Sequence, residues 1–293
     1  MKYRETTKLT NSILQQYQMP LTLRQIFYRL VADCNYPNTS SAYCHLSKQL
    51  VQARKEGIVD KNMIEDRSRD FLGGDYGFFN IEEYLNSRFN EFLSSPKVYS
   101  RNMWNDQPEF VVVFVEKDAL SRVLSNVADH YNVMTAVSRG YASYTYIIQI
   151  IERFPIDKET TVLHFADHDP SGLDMTRDLQ NRLSNYSLDP LRIIQVERIA
   201  LSFDQVQRFG LSPNPTKSAD PRIDEYESQF GDQCWELDAI EPNELQRIAE
   251  EAIVRHIDSV AWKSTLAEQE LERKQLDAQF SVIEKKLQEI GLP

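Results

Sequence analysis

Three acidic side chains give the first chemical suggestion in this sequence. Glu116 ends the run EFVVVFVE, and Asp167 and Asp169 lie in TTVLHFADHDPSGLDM. A continuous β-branched run that ends in an acid reads as a buried parallel strand. In an open α/β sheet, functional groups gather at the carboxyl ends of the strands. Residues two apart on a strand project to the same side, so Asp167 and Asp169 are expected to point together. Glu116 completes a three-carboxylate cluster if its strand neighbours theirs. Like charges at this spacing repel one another. A hard divalent cation relieves the repulsion, and Mg²⁺ keeps waters that a phosphate can replace. The expected cofactor is therefore Mg²⁺, with Glu116, Asp167 and Asp169 as its ligands. The plainer alternative makes each acid a loop or capping residue, and Asp169 before Pro170 suits a helix cap. The order favours the metal: an acid after one strand, Gly140 after the next, then DxDPxG after a third.

The elements that must position these acids follow from residue patterning. From Phe110 the chain alternates strand and helix: FVVVFVE, ALSRVLSNVADHY, NVMTAVSRG, helix 142–154, TTVLHFADHD, helix 171–183 and LRIIQVERIAL. That grammar predicts an α/β domain with a mostly parallel sheet flanked by helices. Residues 202–234 read as a polar excursion and 241–259 as a helix. Upstream, residues 6–70 read as a helical unit. A first helix covers about Thr7–Tyr17. Thr22 caps a second, with Gln25 completing a capping box. Thr39 or Ser40 caps a third, which continues to Gly57. Helix, break, helix suggests a helix-turn-helix or winged-helix module. The expected organisation is 1–70 winged helix, 71–108 linker with a helix near Ile81–Leu93, 109–260 α/β domain, and 261–293 an amphipathic C-terminal helix. That last helix either packs on its own protomer or makes a dimer contact.

VEKDAL, SRGYAS and FADHDPSGLDM resemble the three motifs of the Toprim domain of topoisomerases, primases and some nucleases. The form DxDPxG is similar to the A subunit of type IIB topoisomerases (topoisomerase VI) and its meiotic double-strand-break relative. The resemblance implies Mg²⁺ at Glu116, Asp167 and Asp169, with Glu116 also taking part in proton transfer. It implies a nucleophilic tyrosine in an upstream winged-helix domain, four residues after an arginine. LRQIFYRL fits, with Arg24 and Tyr28. On a helix Leu23, Ile26, Phe27 and Leu30 share the core stripe, and Tyr28 lies about 100° beyond Phe27, on the side of Arg24. Residues four apart touch, and a guanidinium there orients a phosphate. The resemblance also implies a homodimer in which the tyrosine of one protomer serves the metal site of the other, and a separate ATPase subunit for strand passage. There are departures. Phe27 stands where the family often has a second tyrosine, the segment 65–69 matches no motif, and the chain is short, most like reduced A-subunit-like proteins of viruses and mobile elements. It has no GxxxxGK phosphate loop.

Composition sets the bounds. The chain has 293 residues, 41% of them hydrophobic, and a formal net charge of −11, which argues against a protein that merely coats nucleic acid. Cys34, Cys44 and Cys234 form no CxxC pair, so a reduced cytoplasmic, nucleoid-associated protein is expected. No stretch reaches the ~20 apolar residues of a membrane span, and no membrane partner is expected. Double-stranded DNA is the expected partner. Its backbone contacts are expected from Arg24, Arg54, Lys55, Arg67, Arg69, Lys117 and Arg139, with Arg29 and Lys48 as further candidates, and with little sequence information. His168, between the aspartates, is expected to face the other way and be structural. The leading expectation is DNA cleavage and rejoining through a 5′-phosphotyrosyl intermediate, with Tyr28, Arg24 and Glu116 as the catalytic residues. The alternatives are a metal-dependent nuclease using water, with Tyr28 structural, and a non-catalytic DNA-binding or assembly protein.

Overall fold

The computed structural model describes residues 2–65, 77–187, 189, 191–216 and 220–290. Arg67 and Arg69, two of the expected DNA contacts, lie outside the described residues. In chain order, α1 spans Tyr3–Leu14, β1 Leu21–Thr22, α2 Leu23–Cys34, α3 Ser40–Lys55 and β2 Ile64–Glu65. Helix α4 follows at Ile81–Val98. The alternating segment comprises β3 Glu109–Val115, α5 Asp118–His130, β4 Met134–Val137, α6 Tyr144–Ile151, β5 Glu159–Phe165, α7 Pro170–Tyr186 and β6 Ile194–Ala200. Then come α8 Phe203–Phe209, β7 Asn214–Pro215, α9 Ile223–Phe230, β8 Gln233–Cys234, α10 Pro242–Val254 and α11 Ser259–Glu289.

Two compact units result. One joins residues 1–69 to 109–256; the other joins 70–108 to 257–293. The N-terminal helices and the sheet thus belong to one unit, while the expected linker and the C-terminal helix form the second.

In the first unit β3–β6 form one sheet of order β4-β3-β5-β6, with every neighbouring pair parallel. The reason is visible in β3: Val111, Val112, Val113, Phe114 and Val115 are all buried, as a strand covered on both faces requires. Each such side chain contributes roughly 1.5–3 kcal/mol on burial. Helix α5 follows β3 and α7 follows β5, so their N-termini and the strand ends lie side by side.

The N-terminal helices pack on Ile13, Leu14, Leu21, Ile26, Phe27 and Leu30. Thr22 closes the expected capping box with Gln25, and Asn35, at φ 51, ends α2 in the left-handed conformation. Thr39 caps α3, accepting from the Ala42 N–H. The core stripe of α2 reaches further round the helix than its spacing suggests. Tyr28 is 5% exposed, held edge-on against Phe27 with ring centroids 5.4 Å apart. The polar excursion is better ordered than expected, since it contains α8, α9 and the antiparallel β7–β8 pair.

The second unit pairs α4 with α11. Phe92 meets Phe280 at 4.9 Å, Trp104 meets Trp262 edge-on at 6.0 Å, and Tyr99 donates to Glu272 Oε2 at 2.7 Å. Phe280 of the C-terminal helix thus finds a partner on α4, while Leu266, Leu271, Val282 and Ile290 stay exposed. Among the described residues no helix is long and apolar enough to cross a membrane.

Candidate active site

The end of β5 is where the chain gathers its charge. Val115 pairs with Phe165, and the next amide, Glu116 N–H, donates to Phe165 O at 3.0 Å. Beyond Phe165 the chain leaves the regular sheet. His168 forms an antiparallel bridge with Trp235: its N–H donates to Trp235 O, and its carbonyl oxygen accepts from the Trp235 N–H, both at 2.9 Å. That bridge carries residues 236–238 alongside Asp167. The Leu237 N–H donates to Asp167 Oδ1 at 2.8 Å. The His168 ring is boxed by Phe203, Tyr226, Phe230 and Trp235, with Nδ1 2.8 Å from the Tyr226 hydroxyl. Its expected structural role fits this burial.

The carboxylates that meet are not the three expected from the sequence. Asp167, Glu236 and Asp238 each place an oxygen within 4.8 Å of the others. Glu116 and Asp169 stand outside that group, and the reason is local. Asp169 caps α7: its Oδ1 accepts from the Gly172 N–H at 2.6 Å and from Ser171 Oγ at 3.0 Å. Glu116 turns its Oε2 to the Asp167 N–H at 3.4 Å. Only Asp167 belongs to both sets. Glu116 and Asp169 remain close enough for their charges to act on each other.

Three cationic side chains thread the cluster. Lys117 Nζ lies 2.6 Å from Asp167 Oδ2, 2.5 Å from Glu236 Oε2 and 3.0 Å from Asp238 Oδ2. Arg24 pairs with Glu236 and reaches Asp238 Oδ2 at 3.4 Å. Arg198 donates to the carbonyls of Asp167 at 2.5 Å and Gly172 at 2.8 Å, bracing the turn from below. Gly172 is required there, because a Cβ would sit 2.2 Å from the Asp167 carbonyl oxygen.

The electrostatics follow from burial. Asp167 is pushed up to about 7, first by desolvation and then by Glu116, Glu236 and Asp238, against the pull of Lys117. Burial also raises Glu116. Desolvation works to lower Lys117, but Asp238, Asp167 and Glu236 outweigh it and hold the ammonium charged. Burial would raise Glu236, yet Lys117 and Arg24 bring it below its ordinary value. One acceptor is left over: among the described residues Asp238 Oδ1 has no hydrogen-bond partner, although the side chain is fully buried. An all-oxygen donor set with mutual repulsion and an orphaned buried oxygen fits a hard divalent cation.

Tyr28 and Arg24 adjoin this cluster. The Arg24 guanidinium lies 6.0 Å from the Tyr28 ring, as the four-residue spacing on α2 requires. Arg24, Tyr28, Ser40, Tyr43, Asn214 and Glu236 line a cavity of about 370 Å³. Asn214 Nδ2 donates to the Tyr28 hydroxyl at 3.2 Å. Burial, then Glu236, raises the Tyr28 phenol, while Asn214, Arg24 and Lys117 oppose the rise.

The expected DNA contacts separate into two kinds. Lys48 and Lys55 are exposed on α3, and Arg54 is half-buried there with its Nε bonded to Leu50 O. Arg139, at φ 54, is exposed and paired with Asp118 at 3.1 Å. Arg29 is buried and donates to Ala239 O at 2.8 Å, so it holds the fold rather than a ligand. Arg24 and Lys117 spend their charge on the acids. Sequence reasoning missed Glu236, Asp238 and Arg198. The one signal was WELDA, an acid pair two residues apart, whose partner strand segment is more than sixty residues upstream. No protein-family model matches the chain, and no curated protein matches its sequence.

Proposed function

We propose that this chain cleaves the DNA backbone by transesterification at Tyr28, assisted by a divalent cation such as Mg²⁺. The observation that carries the reading is the shared cavity. A phenol, a guanidinium and the edge of a carboxylate cluster suited to a cation open onto one space large enough for a phosphodiester. Asp167, Glu236 and Asp238 would hold the cation, with Glu116 and Asp169 at its flank. When bound, it supplies positive charge against the phosphate and the departing 3′ oxygen.

The rest is the work of the chain's own residues. Tyr28 Oη attacks phosphorus, a bond forms between them, and the bond to the 3′ oxygen breaks. The phenol proton passes to water and the 3′ oxygen takes one up. The hydroxyl accepts from Asn214, which leaves its own O–H aimed elsewhere. Glu116, raised by burial, is suited to carry a proton at this step. Arg24 orients the phosphate once DNA competes for its charge. Lys48, Arg54, Lys55 and Arg139 are proposed to hold the flanking backbone. A homodimer and a separate ATPase partner belong to the same reading.

A second reading is favoured by one observation: Tyr28 is almost fully buried. Water then replaces the phenol as nucleophile and the protein is a metal-dependent nuclease. Supercoiled DNA incubated with the chain and Mg²⁺, then denatured with and without protease, separates the two. Transesterification gives cut DNA that enters the gel freely only after proteolysis, and Tyr28→Phe abolishes it by at least 100-fold. Cleavage that survives Tyr28→Phe belongs to the nuclease.

A further inference from the structure

We infer that Lys117 is an internal cation that occupies the carboxylate centre in the metal-free protein, and that a divalent cation exchanges with it. This rests on the metal-dependent reading of the same site.

The geometry is that of a ligand in its cage. The Lys117 ammonium contacts one oxygen each of Asp167, Glu236 and Asp238, at 2.6, 2.5 and 3.0 Å. These are the three side chains whose oxygens lie within 4.8 Å of one another. A monovalent ammonium carries three donors and no more; here two hydrogen-bond Glu236 and Asp238, and Asp167 is held as an ion pair. It still leaves Asp238 Oδ1, in a fully buried side chain, without a partner among the described residues. The carboxyl groups also outnumber the cations: Glu116, Asp167, Asp169, Glu236 and Asp238 face Lys117, Arg24 and Arg198. A divalent cation offers twice the charge and a higher coordination number, and so can engage the oxygen that the ammonium leaves out.

The exchange gives the ammonium somewhere to go. Lys117 is the N-cap residue of α5, so its backbone is fixed while its four-carbon stem can swing. Its side chain is 20% exposed, and its partner Glu236 also lines the cavity beside Tyr28. Once displaced, the ammonium is free for a phosphodiester in that cavity. Cation binding and DNA binding are then coupled positively, and the coupling is reciprocal.

The test uses the full-length chain and Mn²⁺ as the probe, with free Mn²⁺ read by electron paramagnetic resonance in the absence of cleavage. Lys117→Met is expected to bind Mn²⁺ at least tenfold more tightly than wild type. A short duplex DNA is expected to raise wild-type affinity at least threefold and to raise that of Lys117→Met by a smaller factor. Equal or weaker binding by Lys117→Met, or no binding by either protein, overturns the exchange. Lys117→Gln replaces the variant if Lys117→Met loses its thermal transition, and Asp238→Asn is expected to weaken Mn²⁺ binding in both backgrounds. A chain that shows the exchange yet leaves DNA intact supports this inference and refutes cleavage.

Discussion

At the scale of single residues, burial decides which ionisable groups can act. His164 is lowered to about 3 and His168 to about 4, in both cases first by desolvation and then by Arg198. Both are therefore neutral in the folded chain at neutral pH. Linkage fixes the sign. Above the ordinary value of about 6.5 these imidazoles are neutral in both states; as pH falls, the unfolded chain takes protons that the fold refuses, and stability is lost toward the folded values. Asp167 acts oppositely. Raised to about 7, it favours the fold at low pH, and that contribution is lost as pH rises through about 7. Proton NMR of the five histidines provides the check. The two buried rings are expected to hold their chemical shifts from about pH 8 to about pH 5. A His168 shift that moves near pH 6.5 would mean the aromatic box is open.

The acidic residues show how far sequence alone reaches at this scale. FVVVFVE and FADHDP could be read because a strand end needs only local patterning. Glu236 and Asp238 could not, because nothing in CWELDA states that Trp235 will bridge to His168. Asp169 was visible both as a ligand and as a cap. The cap is what the geometry shows, since a helix N-terminus with Pro170 at its first position leaves donors that the nearest carboxylate satisfies.

At the scale of elements, the turn between β5 and α7 holds the site together. Its glycine is not there for an unusual φ but for space, because the Asp167 carbonyl passes where a Cβ would be. Gly172→Ala is expected to push that carbonyl aside, disturb its bond from Arg198, and destabilise the chain by about 2–4 kcal/mol, in the range of other backbone clashes in packed interiors. Urea unfolding at neutral pH reads the loss. A change below about 0.5 kcal/mol would show that the turn relaxes freely. The strands and helices themselves were legible. Alternation of apolar runs with capped helices gave β3 through β6, and the Thr22 capping box and the Thr39 cap stand where their residue types predict. The short elements α8, β7, α9 and β8 were not, because two-residue strands carry no periodicity and owe their form to tertiary contacts such as Thr216 with Glu227.

At the scale of the whole chain, sequence order and spatial grouping diverge. The stretch expected as a linker and the C-terminal helix form one unit through α4 and α11, while the N-terminal helices join the sheet. Parallel strands must be connected across the sheet faces, so contacts between distant segments are the rule in such a fold. A linear reading divides the chain at changes of composition and cannot see those returns. The consequence for function is that α2, which carries Tyr28 and Arg24, shares a unit with the carboxylates. Tyr17 to Glu241 at 2.6 Å and Arg29 to Ala239 at 2.8 Å fasten the N-terminal helices to the segment that follows Asp238.

The most direct measurement is the chemical identity of a trapped adduct. The chain is incubated with duplex DNA and Mg²⁺, denatured rapidly, digested with nuclease and trypsin, and analysed by tandem mass spectrometry. The expected result is a nucleotide phosphate on the peptide Gln25–Arg29, localised to Tyr28. Cut DNA bearing free 5′ phosphates with that peptide unmodified, or an adduct on another residue, would contradict the account.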